Sequence, residues 1–155
     1  MSTTLYEQDF LAWTEEQARL LESQQWGSLD IQNLIEEILS LGKQQRQEFR
    51  NRLAVLLCHL LKWQYQPKRR GRSWTATINE QRIQLGILLR DNPSLKGSLD
   101  ELLADGYRLG IQQAVKETDL DPSTFPDACP FEFEQIMDPD FLPEGVPGPG
   151  PEGSP

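Results

Sequence analysis

Residues Phe49–Trp74 read FRNRLAVLLCHLLKWQYQPKRRGRSW, and the two halves of this stretch behave differently. In the first half Phe49, Leu53, Leu56, Leu57, Leu60 and Leu61 recur at intervals of three and four, the spacing that stacks side chains on one helical face. In the second half Pro67 stops the pattern, because proline lacks the backbone N–H and disfavours helical geometry in the residue before it. Lys62, Lys68, Arg69, Arg70 and Arg72 then crowd around Trp63, Tyr65 and Trp74. A buried helix followed by a charged, aromatic loop is the expectation.

Working outward, apolar residues recur at helical spacing along most of the chain, with no sustained period-two alternation between turn signals. The fold class is therefore all-α: a compact bundle of about four main helices, with a short C-terminal helix and a strap. Thr4 and Glu7 form a capping-box pair that opens a first helix striped by Tyr6, Phe10, Trp13, Leu20 and Leu21, with Gln17 as a polar member. Asp30 caps the next helix, whose face carries Ile31, Leu34, Ile35, Ile38 and Leu41. Gly42 interrupts before the stripe resumes at Phe49. With no second breaker beside that glycine, one long helix is favoured over two short ones.

Ser73 is placed to cap a third helix, with Trp74, Ile78, Leu85, Leu88 and Leu89 inward, that stops at Asn92-Pro93. Ser98 and Glu101 make another capping-box pair for a fourth, in which Gly106 and Gly110 share the inward side with Leu102 and Tyr107 and permit close backbone packing. A short helix near Phe131–Met137 leads to DPDFLPE, and Phe133, Ile136, Phe141 and Leu142 together form a strap over the bundle. Residues 1–144 are read as one domain and 145–155, nearly all Pro and Gly, as a disordered tail.

Composition narrows the classes. The 155 residues hold 15 Lys+Arg and 24 Asp+Glu, net −9, which argues against a general polyanion binder. Residues 62–74 run against this at net +5, leaving −14 for the remainder, so charge is strongly dipolar. Two dissimilar cysteines, Cys58 and Cys129, propose no disulfide framework and point to a reducing compartment, the cytoplasm. The longest apolar run, LAVLLCHLL, is far below the roughly 20 residues that span a bilayer, so no membrane partner is expected.

The stretches LYEQDFLAWTEEQARLL, LDIQNLIEEI, LAVLLCHLLKWQYQP, RSWTATINEQR, NPSLK and CPFEFEQIMDPDFLPE, in that order, resemble the bacterial domain of unknown function 29 family, which is abundant in cyanobacteria. The resemblance covers about Leu5 to Glu144 and implies a helical domain whose activity is unassigned. The Pro/Gly tail and the glycines at 86, 106 and 110 depart from the family's usual pattern.

Catalytic chemistry finds little support. Glu36, Glu37, Glu80 and His59 are the metal-ligand candidates, but on one helix Glu37 and His59 lie about 33 Å apart at 1.5 Å per residue. No His-x-x-x-His, Glu-x-x-His or Cys-x-x-Cys spacing occurs. Cys58 and His59 are adjacent on a helix and point about 100° apart, a poor arrangement for proton transfer. No metal, cofactor or catalytic residue is expected. His59 reads as a core-edge imidazole bonded to a neighbour, and Cys58 as a buried, inert thiol.

The candidate binding residues are therefore Lys62, Trp63, Tyr65, Lys68, Arg69, Arg70, Arg72 and Trp74. Arginines beside a helix start suit an anion, and the rings offer stacking faces. Alternatively the rings wedge the loop while the arginines pair with Glu15, Glu16, Asp100 or Glu101. The favoured function is a non-enzymatic helical interaction module whose partner is another protein. An accessory nucleic-acid-binding or regulatory protein, of mobile-element or toxin–antitoxin type, comes second. A metal-dependent enzyme comes third.

Overall fold

The computed structural model of the chain describes residues 4–145. Among the described residues lie helices α1 (Leu5–Gln8), α2 (Phe10–Glu22), α3 (Ile31–Tyr65), α4 (Arg72–Asp91), α5 (Leu99–Thr118) and α6 (Phe133–Met137) and no strand; Asp9 alone separates α1 from α2, and each later connection contains a 3-10 turn. The fold class is all-α, as its periodicity requires. The tail expected to be disordered falls, from residue 146 on, outside the described residues.

The chain divides into two compact units between Gln44 and Gln45. In the first, the single opening helix expected from the stripe is two. Asp9 leaves helical geometry at φ −149° and its carboxylate accepts the Ala12 N–H at 3.0 Å, so Asp9 rather than Thr4 supplies the side-chain cap. The Thr4–Glu7 capping box does not form through the Thr4 side chain. Trp13 and Leu20 are buried, and Gln17, the polar member of the stripe, has a reason to be there: its Oε1 accepts the Asp30 N–H at 2.8 Å. Asp30 in turn accepts from Trp13 Nε1 at 3.0 Å and from Asn33 Nδ2 at 2.7 Å. The Asn33 bond chiefly, and the Trp13 bond with it, hold the Asp30 carboxyl below its ordinary range. These bonds tie the middle of α2 to the start of α3.

Helix α3 is unbroken over 35 residues, so Gly42 does not end it. Its two halves have opposite surroundings. Phe49, Leu53, Leu56, Leu57, Leu60 and Leu61 are fully buried, whereas Ile31, Ile35, Ile38 and Leu41 each stand at least half exposed.

In the second unit α5 crosses the buried half of α3 on its glycines. A Cβ on Gly106 would meet Leu53 at 3.2 Å, and one on Gly110 would meet the Ala54 carbonyl oxygen at 3.0 Å and Leu57 Cβ at 3.2 Å. Both glycines therefore serve close packing. Two capping expectations shift. Helix α4 begins at Arg72 with Gly71 before it, placing Ser73 inside the first turn. Ser98 precedes α5 without capping it, because Ser98 Oγ accepts Arg46 Nη2 at 2.7 Å and Glu101 pairs with that arginine at 3.8 Å. A reciprocal capping box does form at α6, between Glu132 and Gln135.

The strap is fixed from below by Arg82, only 6% exposed, which donates from Nε to the Ile136 carbonyl and from Nη2 to the Phe141 carbonyl, both at 2.7 Å. Ile136 is fully buried; Leu142, expected inward, is exposed, and Pro143 is buried in its place.

Candidate functional site

The basic, aromatic stretch after α3 is assembled by three local events. Pro67 stops the helix and opens a 3-10 turn, Pro67–Arg69, and Gly71 then passes the chain into α4. Five of the eight expected binding residues turn inward on themselves. Lys62 is buried on α3, its Nζ 3.2 Å from Glu117 Oε2 and 4.6 Å above the Trp74 ring. Arg70 lies 4.9 Å over the Trp63 ring and donates from Nε to the Trp63 carbonyl at 2.7 Å. Tyr65 meets Phe125 edge-on, ring centres 5.1 Å apart.

That leaves Lys68, Arg69 and Arg72, all exposed and without an ion pair among the described residues. None of the acids named for pairing, Glu15, Glu16, Asp100 or Glu101, forms an ion pair with them among the described residues, and Glu101 pairs with Arg46 instead. The rings wedge the loop, as one reading held, yet the braces are Arg70 on Trp63 and Lys62 on Trp74.

Sequence reasoning missed Glu117, around which the polar groups of α3 gather. Cys58 and Lys62 are four residues apart and so share a helical face, and α5 presents Glu117 to both. Cys58 Sγ donates to Glu117 Oε2 at 3.1 Å. Burial first, and the carboxylate second, push the thiol far above its ordinary value, so little nucleophilic thiolate forms. Burial by itself would raise Glu117, but the bonds from Cys58 and Lys62 outweigh it and its carboxyl is held low. His59 Nδ1 bonds the Val55 carbonyl at 2.8 Å, and burial lowers its pKa. This is the core-edge imidazole the sequence implied. No group of three or more metal-ligating side chains occurs among the described residues.

A feature that sequence reading did not single out lies in the first unit. Helices α2 and α3 form an open, largely apolar groove of about 240 Å³ lined by Trp13, Ala18, Leu21, Leu34, Ile38 and Leu41, with Thr14, Gln17 and Glu37 as its polar members. Around it Phe10, Leu11, Leu21, Ile31, Ile35, Ile38, Leu39 and Leu41 are each between 45% and 67% exposed. Eight large apolar side chains on α2 and the first half of α3 thus stand about half or more in water, and large exposed apolar surface of this kind marks interaction sites.

A family model for a domain of unknown function, DUF29, matches residues 5–142. The chain belongs to the DUF29 family. No curated protein and no solved structure matches it. The apolar face at residues 10–41 and the basic stretch at 62–74 both fall inside the DUF29 match, so both are parts of the domain itself. No helix among the described residues is long and apolar enough to cross a membrane.

Proposed function

We propose that this DUF29 chain is a non-enzymatic interaction module that binds another protein in the cytoplasm. One observation carries the reading: the exposed apolar face that α2 and the first half of α3 form around their groove. Leaving large aliphatic side chains in water forgoes about 25 cal/mol per Å² of burial, a cost a partner recovers on docking. The chemistry of the remaining polar groups supports the same side of the choice, since the one buried thiol is held protonated and the one histidine is committed to a helix carbonyl.

The test is capture from the native cell with three forms of the full chain: wild type, Ile35→Ser/Ile38→Ser, and Ile83→Ser. Ile83 is as exposed as Ile38 but lies on α4. A protein recovered with wild type and Ile83→Ser and lost with the double variant supports the module. Identical recovery with all three removes the face as its site.

A second reading keeps the basic stretch. Lys68, Arg69 and Arg72 are exposed cations at the start of α4, and a nucleic-acid phosphate suits them. Recovery of RNA or DNA that disappears on changing those three to Gln, and weakens with salt, is the result this reading requires.

A further inference from the structure

We infer that the apolar face of α2 and α3 takes a cationic amphipathic helix. This rests on the interaction reading above and adds the chemistry of the partner. The first support is shape. Ile31, Ile35, Ile38 and Gly42 follow the four-three-four spacing of one helical face, which over twelve residues runs about 17 Å. Beside it lies the groove of about 240 Å³ between the two helices. A row of knobs along a shallow trough is what the apolar stripe of a third helix fills, and an open position at Gly42, where nothing lies within 4 Å of a would-be Cβ, leaves that end of the trough clear.

The second support is charge, and it selects among occupants. Residues 1–44 contain eight acids and two bases, net −6, so this quarter of the chain carries two-thirds of the total −9. Part of that acid is internally engaged: Glu37 accepts the Tyr6 hydroxyl, Asp30 holds Trp13, and Asp9 caps α2. Glu15, Glu16, Glu22 and Glu36 are exposed and have no ion pair among the described residues. Glu15 and Glu22 stand one turn beyond Leu11 and Ala18, so they line the outer edge of the apolar face on α2. A second copy docked on this face brings net −6 against net −6, and like charges across an interface are unfavourable. A helix with an apolar stripe flanked by lysine or arginine meets both the face and its edge.

The experiment titrates the full chain with two synthetic amphipathic helices of about 14 residues, long enough to cover the stripe. Both have a leucine face; one is otherwise lysine and the other otherwise glutamate. Binding is read from tryptophan fluorescence, since Trp13 and Trp26 lie in this unit, and oligomeric state from light scattering. The lysine peptide is expected to bind at least tenfold tighter than the glutamate peptide. Ile35→Ser/Ile38→Ser should weaken it by tenfold or more and Glu15→Gln/Glu22→Gln by about fivefold, while Ile83→Ser leaves it unchanged. Circular dichroism confirms that each variant is folded.

Equal binding of the two peptides, or lysine-peptide binding untouched by both double variants, overturns the inference. Preference for the glutamate peptide, lost in the isoleucine variant, also overturns it but leaves the interaction module standing. So does a solution dimer that the isoleucine variant splits. If neither peptide binds and cellular capture is the same for all forms, module and cationic partner fall together.

Discussion

Replacing Gly110 and Gly86 by Ala, one at a time, separates close packing from helix propensity. Both glycines are interior to 20-residue helices, α5 and α4, so alanine brings each the same intrinsic gain of about 1 kcal/mol. At Gly86 nothing lies within 4 Å of the new Cβ, and the gain stands alone. At Gly110 the Cβ arrives 3.0 Å from the Ala54 carbonyl oxygen, 3.2 Å from Leu57 Cβ and 3.4 Å from the Cys58 nitrogen. Two of those three atoms are helix backbone and cannot swing aside, so α5 must move off α3 by a few tenths of an ångström. Such overpacking costs about 1–3 kcal/mol. The propensity gain is common to both variants and cancels in their difference, so Gly86→Ala should exceed Gly110→Ala in stability by about 1–3 kcal/mol. At about 2–4 °C per kcal/mol for a chain of this size, the gap in Tm is roughly 2–12 °C. Urea unfolding and thermal melts followed at 222 nm measure it. Equal stability of the two variants would refute the close approach of α5 to α3, and a more stable Gly110→Ala would reverse it.

Three further outcomes are expected. Arg82→Met keeps the apolar stem but strands the Ile136 and Phe141 carbonyls; it should cost about 2–4 kcal/mol in urea unfolding and speed hydrogen exchange in α6 more than in α5. Unchanged exchange in α6 would mean that the strap does not depend on the arginine. For His59, burial keeps the folded pKa below the unfolded value of about 6.5, so below that pH the unfolded chain binds the extra proton; stability present above pH 6.5 is lost as pH falls through the folded value. His59→Phe should flatten the stability-versus-pH curve on that side, and parallel curves would show that the imidazole is not desolvated. Cys58 should react with a maleimide far more slowly than a free thiol at pH 7, because its thiolate is suppressed, and Glu117→Ala should not raise that rate as much as unfolding in urea does.

Much of the fold was legible because helical periodicity and proline are strong local signals. The stripe from Phe49 to Leu61, the stops at Pro67 and Pro93, and the close approach through Gly106 and Gly110 needed only spacing and size. Errors gathered at helix ends, where one side chain has several possible partners. Ser98 was free to cap α5 until Arg46, fifty-two residues earlier, took its hydroxyl. Asp9 won the cap of α2 because the chain bends there, which no pattern in the flanking residues announces. Arg82 had a faint signature: it fills the gap between Ile78 and Leu85 in an otherwise apolar stripe, and a cation in that position needs acceptors from elsewhere in the chain. The candidate site suffered from the same limit. Charge density marked residues 62–74, but whether Lys62 and Arg70 point to water or back onto Trp74 and Trp63 depends on Glu117 and on the path of the loop.

The long helix shows why exposure, more than pattern, decides what a stripe means. Its two apolar runs, 31–41 and 49–61, obey one spacing rule, and on periodicity they are equivalent. Burial depends on what each run can be covered by. The second run has α5 drawn close by two glycines and a cluster of side chains from α4 and α6. The first, within its own unit, has α2, thirteen residues that commit Trp13, Gln17 and Leu20 to one edge of the stripe. One short helix covers one side of an apolar arc; Ile31, Ile35 and Ile38 lie round toward the other and remain open. A segment that only needed to be soluble would carry polar residues there, at little cost to the α2 contact. Instead isoleucines stand there in water, with Glu15, Glu22 and Glu36 exposed beside them, and it is this pairing of apolar face and acidic edge that the proposed cationic helix would match.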